Sequence, residues 1–302
     1  MGMQGGMPGG DMGMPGGYMG MPVGMPGSQG QYSPLFISAN LPVSGDVNST
    51  VVVSGVSASA GTAANDSYNG ANANNVLTLT SGVPGGLDKF TGGTSHDTLV
   101  LSGGNPGIGA IGVERIIGSA ASDVLQIQTL TGQKTYFAGG GGADLLNLHA
   151  PLGGDSNNGA IRVIFTSTAN LGSGMILSGF DFASDKLLFS EASFKDASGN
   201  LNSVASGAVG VIGLSTGAGG VIVGTNQTQF SSVNTWLYNT NSHVLSYDVD
   251  GNGSGVGVQV AQFANAFNET QENIASALKF LDAGDLTAYL DPATVNPAAL
   301  PI

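Results

Sequence analysis

Large apolar side chains recur through the middle of the chain at a fixed offset in nine-residue frames. Frames beginning at residues 61, 70, 83, 92, 109, 118, 130 and 139 place Tyr68, Leu77, Phe90, Leu99, Ile116, Leu125, Phe137 and Leu146 at the eighth position. The sixth position of the same frames reads Asp66, Asn75, Asp88, Asp97, Glu114, Asp123, Thr135 and Asp144, six of the eight being carboxylates. The frames fall into tandem pairs whose starts are 22, 26 and 21 residues apart, so loops interrupt the repeat. A turn followed by a short strand fits this spacing. The eighth residue then enters a narrow core, two frames make one coil of about eighteen residues, and stacked coils bury a continuous interior.

Beyond residue 160 the pattern changes to longer strands. Ala160–Thr166 is β-branched and apolar, and Met175–Leu177 leads into Gly179–Phe189. Trp236–Asn239 and Val244–Gly253 read as a hairpin, which Val256, Val258, Val260 and Phe263 continue. Residues 269–281 carry the clearest helical pattern, with Asn268 as cap, Ile274, Leu278 and Leu281 on one face and Gly284 to end it. Domain limits follow as an arm at 1–34, a repeat region at 35–159 (repeats 61–147), a β-rich region at 160–267 and a terminal helical segment at 268–302.

Gly139-Gly140-Gly141-Gly142-Ala143-Asp144-Leu145-Leu146-Asn147 fits G-G-x-G-x-D-x-U-x at every constrained position. In this it resembles the RTX, or haemolysin-type, calcium-binding repeat family. Gly179–Phe189 and the hairpin ending Tyr247-Asp248-Val249-Asp250-Gly251-Asn252-Gly253 resemble segments that follow such repeats. The resemblance implies an all-β fold: a short, degenerate β-roll or β-helix, then a β-rich C-terminal domain with a terminal helix. It also implies calcium, a hard cation that takes six to eight oxygens and would neutralise stacked carboxylates. The pairing expects Asn75, Asp97, Asp123 and Asp144 on one edge, and Asp66, Asp88, Glu114 and Thr135 on the other. Asp97, Asp123 and Asp144 are the leading expected ligands, on turns opened by Gly92, Gly118, Gly139, Gly140 and Gly142. Ser95 and Ala121 stand where the motif has its fourth-position glycine. Asp248, Asp250 and Asn252 alternate as in a calcium loop, but no closing Glu follows, and a tight turn stabilised by Asp-Gly chemistry is the commoner explanation.

Composition narrows the functional classes. Of 302 residues, 51 are glycine and none is cysteine; 7 Lys and Arg face 20 Asp and Glu, a net charge of −13, with 9% charged and 41% hydrophobic residues. That is too apolar for a disordered polymer. A strongly acidic chain without a basic cluster repels phosphate backbones, which argues against nucleic acid as a partner. No run of 18 apolar residues is present, so no helical membrane span is expected. The arm carries eight of the nine methionines and repeats Gly6-Met7-Pro8-Gly9-Gly10 as Gly13-Met14-Pro15-Gly16-Gly17 seven residues on. Gly and Pro exclude a coiled coil there, and pliable Met-Pro-Gly chain suits either a flexible tail or a strip that docks on a neighbouring subunit.

Catalytic patterns are absent from this reading. The single G-x-S-x-G, Gly213–Gly217, lacks a strand–turn–helix setting. His96, His149 and His243 are isolated, and His96 is expected at a solvent-exposed turn. The expectation is therefore not an enzyme. The resemblance to RTX proteins implies a bacterial extracellular or cell-surface structural protein, exported by a type I route and calcium-stabilised, and the arm and charge-poor surface suit self-assembly into a filament, sheet or surface layer. A secreted monomeric adhesin that binds cell-surface polysaccharide is the alternative.

Overall fold

The computed structural model describes residues 47–59, 65–80, 88–103, 107–148, 159–172, 174–194, 221–224, 236–247, 257–294, 297–298, 300 and 302. The chain divides into Met1–Leu35 and Phe36–Ile302, and the arm lies wholly outside the described residues.

The first seven strands are β1 (Val47–Val53), β2 (Val56–Ser59), β3 (Asn65–Gly70), β4 (Asn75–Leu79), β5 (Asp88–Thr91), β6 (Asp97–Leu101) and β7 (Ile108–Ile111). Then come β8 (Arg115–Ile117), β9 (Val124–Gln128), β10 (Lys134–Ala138), β11 (Leu145–Leu148), β12 (Ala160–Phe165), β13 (Ile176–Ser178) and β14 (Lys186–Ser190). The last part holds β15 (Val221–Gly224), β16 (Trp236–Asn239), β17 (Val244–Tyr247), β18 (Val258–Ala264), α1 (Gln271–Ala277), β19 (Leu278–Leu281) and α2 (Ala283–Leu290).

Among the described residues these strands build two sheets. One has eleven strands in the order β1-β3-β5-β7-β9-β11-β13-β18-β17-β16-β15; the other has eight in the order β19-β14-β12-β10-β8-β6-β4-β2. Up to β14, successive strands alternate between the sheets, and neighbours within each sheet are parallel. Parallel neighbours cannot be joined by a tight hairpin, so the chain crosses to the opposite sheet and back between them.

The apolar frame positions fill the space between the sheets. Tyr68, Leu77, Phe90, Leu99, Ile116, Leu125, Phe137 and Leu146 are all 0–1% exposed. In the eight-stranded sheet they form one column, because Leu77 pairs with Leu99, Leu99 with Ile116, Ile116 with Phe137 and Phe137 with Val163. Farther along, aromatic rings fill the same interior: Phe165 lies 5.1 Å from Phe189, Phe189 4.7 Å from Trp236, and Trp236 4.8 Å from Tyr247.

Two expectations need correction here. The fold is not a short β-roll followed by a separate β-rich domain. Two large, mostly parallel sheets run through the described chain, and two α-helices accompany its last strands. The physical reason is that Val163, Phe165, Leu177, Leu187 and Phe189 alternate inward as the frame residues do, so β12, β13 and β14 extend the same sheets and core. Among the described residues, antiparallel pairing enters only with the expected hairpin, β16 against β17, and with β17 against β18. The expected helix over 269–281 is also too long. It is capped by Thr270, ends at Ala277, and gives way to β19, which pairs in parallel with β14. Leu278 and Phe280 enter the core as alternate strand residues, and Gly284 lies inside α2 rather than ending α1.

The C-terminal segment lies on the outer face of the eight-stranded sheet. Leu286, Tyr289 and Leu300 pack against Tyr136, Ala138, Ile164, Leu188 and Leu281, with the Tyr136 and Tyr289 rings 4.7 Å apart. Buried Arg115 holds this segment through main-chain carbonyls. Its Nη1 donates to the oxygens of Tyr289 (2.6 Å) and Asp291 (3.2 Å), and its Nη2 to that of Thr294 (2.5 Å).

Phe137 sits at the middle of the core column with neighbours in both directions. Phe137→Ala is expected to cost about 3–5 kcal/mol in denaturant unfolding, the range for a large aromatic removed from a packed interior. Leu130→Ala, at an exposed side chain, should change stability by less than about 0.5 kcal/mol in the same assay.

Candidate functional site: carboxylates at the strand starts

Each frame carboxylate stands within one residue of the start of a strand, two residues ahead of a core side chain. That position puts it beside main-chain N–H groups of its own turn and of the coil stacked against it. A carboxylate there can accept hydrogen bonds that the parallel ladder leaves unmade.

The contacts follow one pattern. Asp123 Oδ2 accepts from the Ser119 N–H at 2.7 Å, and the Asp123 N–H in turn donates to Asp144 Oδ1 at 3.0 Å. Asp97 Oδ2 accepts from the Gly93 N–H at 2.5 Å, and the Asp97 N–H donates to Glu114 Oε2 at 2.7 Å. The Asp66 N–H donates to Asp88 Oδ1 at 3.1 Å, and the Gly55 N–H to Asn75 Oδ1 at 3.2 Å. The remaining oxygens find side chains. Asn75 Nδ2 donates to Asp97 Oδ1 at 2.6 Å, Gln133 Nε2 to Glu114 Oε1, and the Ser119 hydroxyl lies 3.1 Å from Asp123 Oδ2.

The expected edges are not the observed ones. Asp97 belongs to the eight-stranded sheet with Asn75 and Glu114, whereas Asp123 and Asp144 lie on the eleven-stranded sheet with Asp66 and Asp88. The three leading expected ligands are therefore split between two sheets. The cause is β7: it adds a strand between the second and third frame pairs, so later frames change sheet. Its sequence, Ile108-Gly109-Ala110-Ile111, overlaps the frame at 109–117 and conceals the extra element. Thr135 also lies on the eight-stranded sheet, buried, its hydroxyl donating to the Val113 carbonyl at 2.9 Å. Asp248, Asp250, Asn252, His149 and the Gly213–Gly217 motif fall outside the described residues. His96 is half-buried rather than exposed, with Nε2 fully covered, and burial together with the Arg115 charge lowers its pKa.

The glycines named by the repeat act through shape. A Cβ on Gly92 would collide with the Gly112 carbonyl, and one on Gly118 with that of Gly139, so the stacked corners meet backbone to backbone. Gly140 and Gly142 hold φ of 76° and 79°, a left-handed conformation that costs other residues strain.

Burial raises the pKa of Asp88, Asp97 and Glu114, while their N–H donors act in the opposite sense. Asp144 departs furthest. Burial, opposed by the Asp123 N–H and reinforced by the Asp123 charge, pushes it up to about 7. Its Oδ2 is buried without a hydrogen-bond partner, directly over Gly139.

Asp185 is a strand-start carboxylate that the nonapeptide frames missed. It is fully buried, accepting from the Ile161 N–H at Oδ1 (2.8 Å) and the Asp181 N–H at Oδ2 (2.9 Å). Its spacing of two residues before core Leu187 was the available signal. Ser119, Asn75 and Gln133 were missed as partners because only stacking brings them to the acids.

These contacts test calcium at the site. Among the described residues, no group of three or more His, Asp or Glu side chains comes together to hold a metal. Asp97, Asp123 and Glu114 present oxygens to N–H and amide donors, whose positive ends oppose a cation. Among the described carboxylates, Asp144 Oδ2 alone is a buried, unmet acceptor. This arrangement does not fit a calcium ladder of oxygen ligands, and the strand-start contacts require none. No protein-family profile, curated protein or solved structure matches the chain.

Asp123→Ala should lower stability by about 1–3 kcal/mol, because it strands the buried Ser119 N–H. The loss should be the same with added calcium and with chelator, as read from thermal melts. For Asp144, a folded pKa raised from the ordinary carboxylate value to about 7 means that protonation favours the fold. Its contribution is full below about pH 4 and is lost as pH rises through about 7. Asp144→Asn should therefore flatten the fall in melting temperature between pH 5 and 8, with the variant melting above the parent at pH 8.

Proposed function

We propose that the chain is a structural protein of the bacterial cell exterior that assembles with copies of itself. The observation that carries the reading is the open end of the two sheets. Among the described residues β1 pairs only with β3, and β2 only with β4. In β2 the Val76 N–H donates to the Gly55 carbonyl and the Thr80 N–H to the Ser59 carbonyl, so Gly55, Ser57 and Ser59 face β4. The N–H and C=O of Val56 and Ala58 therefore point to the open side. An unpaired strand edge is a template for another chain, and a head-to-tail contact between unlike ends generates a filament.

Charge supports the same reading: a surface with few charged residues resists association weakly. The repeated Met-Pro-Gly units of residues 1–34 suit a docking strip, and the resemblance to RTX proteins agrees with an exported protein. Assembly is proposed without calcium as a requirement. A second reading, a saccharide-binding adhesin, rests on Phe267, 58% exposed beside the Asn268–Asp181 hydrogen bond (2.7 Å). An exposed ring flanked by amide and carboxylate suits a sugar face.

Light scattering and negative-stain imaging of the full chain test the proposal. Polymers are expected, and Ala58→Pro, which removes an outward N–H but no ladder bond, should disperse them while leaving the circular dichroism spectrum unchanged. A parent chain that stays monomeric at high concentration would overturn assembly, and binding of that monomer to glycans would favour the adhesin.

A further inference from the structure

We propose that Arg162, Lys186 and Lys279 form a binding site for a phosphate-type oxyanion on the outer face of the eight-stranded sheet. The chain's cations are concentrated on one sheet. Five of the seven Lys and Arg residues, Arg115, Lys134, Arg162, Lys186 and Lys279, fall on β8, β10, β12, β14 and β19 of this one sheet. Alternation along the strands fixes their side. Phe137, Val163, Leu187 and Leu278 enter the core, so the residues one position before the first three, and one position after Leu278, face outward. Tyr136 pairs with both Arg115 and Arg162, Arg162 pairs with Lys186, and Leu188 with Lys279. With neighbouring strands about 4.8 Å apart, Arg162, Lys186 and Lys279 fall on three successive strands within reach of one small anion.

The charges of this group are only partly answered, by Asp185 near Arg162 and Lys186 and by Asp181 near Lys186. Arg162 is 8% exposed, yet its Nε is buried with no hydrogen-bond partner, and only its Nη1 is engaged, with the Ile161 and Ser184 carbonyls. Lys186 donates to the Ala183 carbonyl at 3.3 Å. Among the described residues none of the three makes a salt bridge, although the chain carries 20 acids. Asp185, whose charge both Arg162 and Lys186 feel, accepts at both oxygens from the Ile161 and Asp181 amides. The cations also oppose one another: burial lowers the pKa of Lys186 and Lys279, and Arg162 lowers both further. A buried, unpartnered guanidinium N–H is costly. An anion would relieve that cost and the mutual repulsion together. Three positive charges, one of them a planar fork, match a doubly charged oxyanion better than a single carboxylate.

Calorimetric titration of the full chain with inorganic phosphate at pH 7 and constant ionic strength tests this site. The parent should bind and melt higher in phosphate than in chloride. Lys186→Gln/Lys279→Gln should weaken binding at least tenfold while raising the melting temperature in chloride, since it removes repulsion. Lys186→Arg/Lys279→Arg should retain binding, and Lys89→Gln on the other sheet should leave it unchanged. Polyphosphate separates the sources: tighter binding per phosphate assigns a group carried on a polymer, and equal binding assigns the free ion. No binding by the parent, equal binding by the glutamine variant, or loss in the arginine variant would each overturn the site.

Discussion

Stacking in register makes this molecule and also creates its main electrostatic difficulty. When equivalent residues of successive coils lie one above another, apolar side chains merge into a continuous core, but carboxylates at equivalent positions are brought together as well. The hydrogen bond from a main-chain N–H to the strand-start carboxylate of the adjacent coil resolves this. The Asp123 N–H on Asp144, the Asp97 N–H on Glu114 and the Asp66 N–H on Asp88 repeat the same contact. Each bond satisfies an amide at a coil corner and places positive potential on an acid that burial would otherwise discharge. Asp144 shows what happens when the supply falls short. One of its oxygens has no donor, and it is the acid whose pKa climbs to about 7.

Much of the interior was legible because its signal is local. A large apolar residue at the eighth position of each frame, two after an acid in six of the eight, identified eight core side chains without knowledge of the coil path. What the frames could not carry was parity. A strand made of Ile108, Gly109, Ala110 and Ile111 has little bulk to announce it, yet it moves every later frame to the other sheet and separates Asp97 from Asp123. Residues 269–281 failed for a different reason. Ile274, Leu278 and Leu281 suit a helical face, while Leu278 and Phe280 equally suit a strand face. The core beside β14 decides for the strand, and that preference is tertiary.

The nature of the acid site was the least legible part. A Gly-rich turn with a carboxylate reads the same whether the oxygen meets a cation or an amide. Only the placement of Gly93, Ser119 and Asn75 around the acids distinguishes the two, and that placement comes from stacking. The cationic stripe was hidden in the same way. Its members are far apart in sequence, and the net charge of −13 concealed that most of the few cations share one face. The molecule thus carries two different chemistries: donors turned inward on acids at the corners, and cations turned outward on one sheet.

Amide-resolved NMR on the full chain tests the central claim most directly. If main-chain N–H groups hold the strand-start carboxylates, the amides of Gly93, Asp97, Ser119 and Asp123 should be strongly protected from hydrogen exchange, and their resonances should stay in place through a millimolar calcium titration. Rapid exchange at these four amides, or saturable calcium-dependent shifts centred on them, would contradict the account and return the carboxylates to a cation.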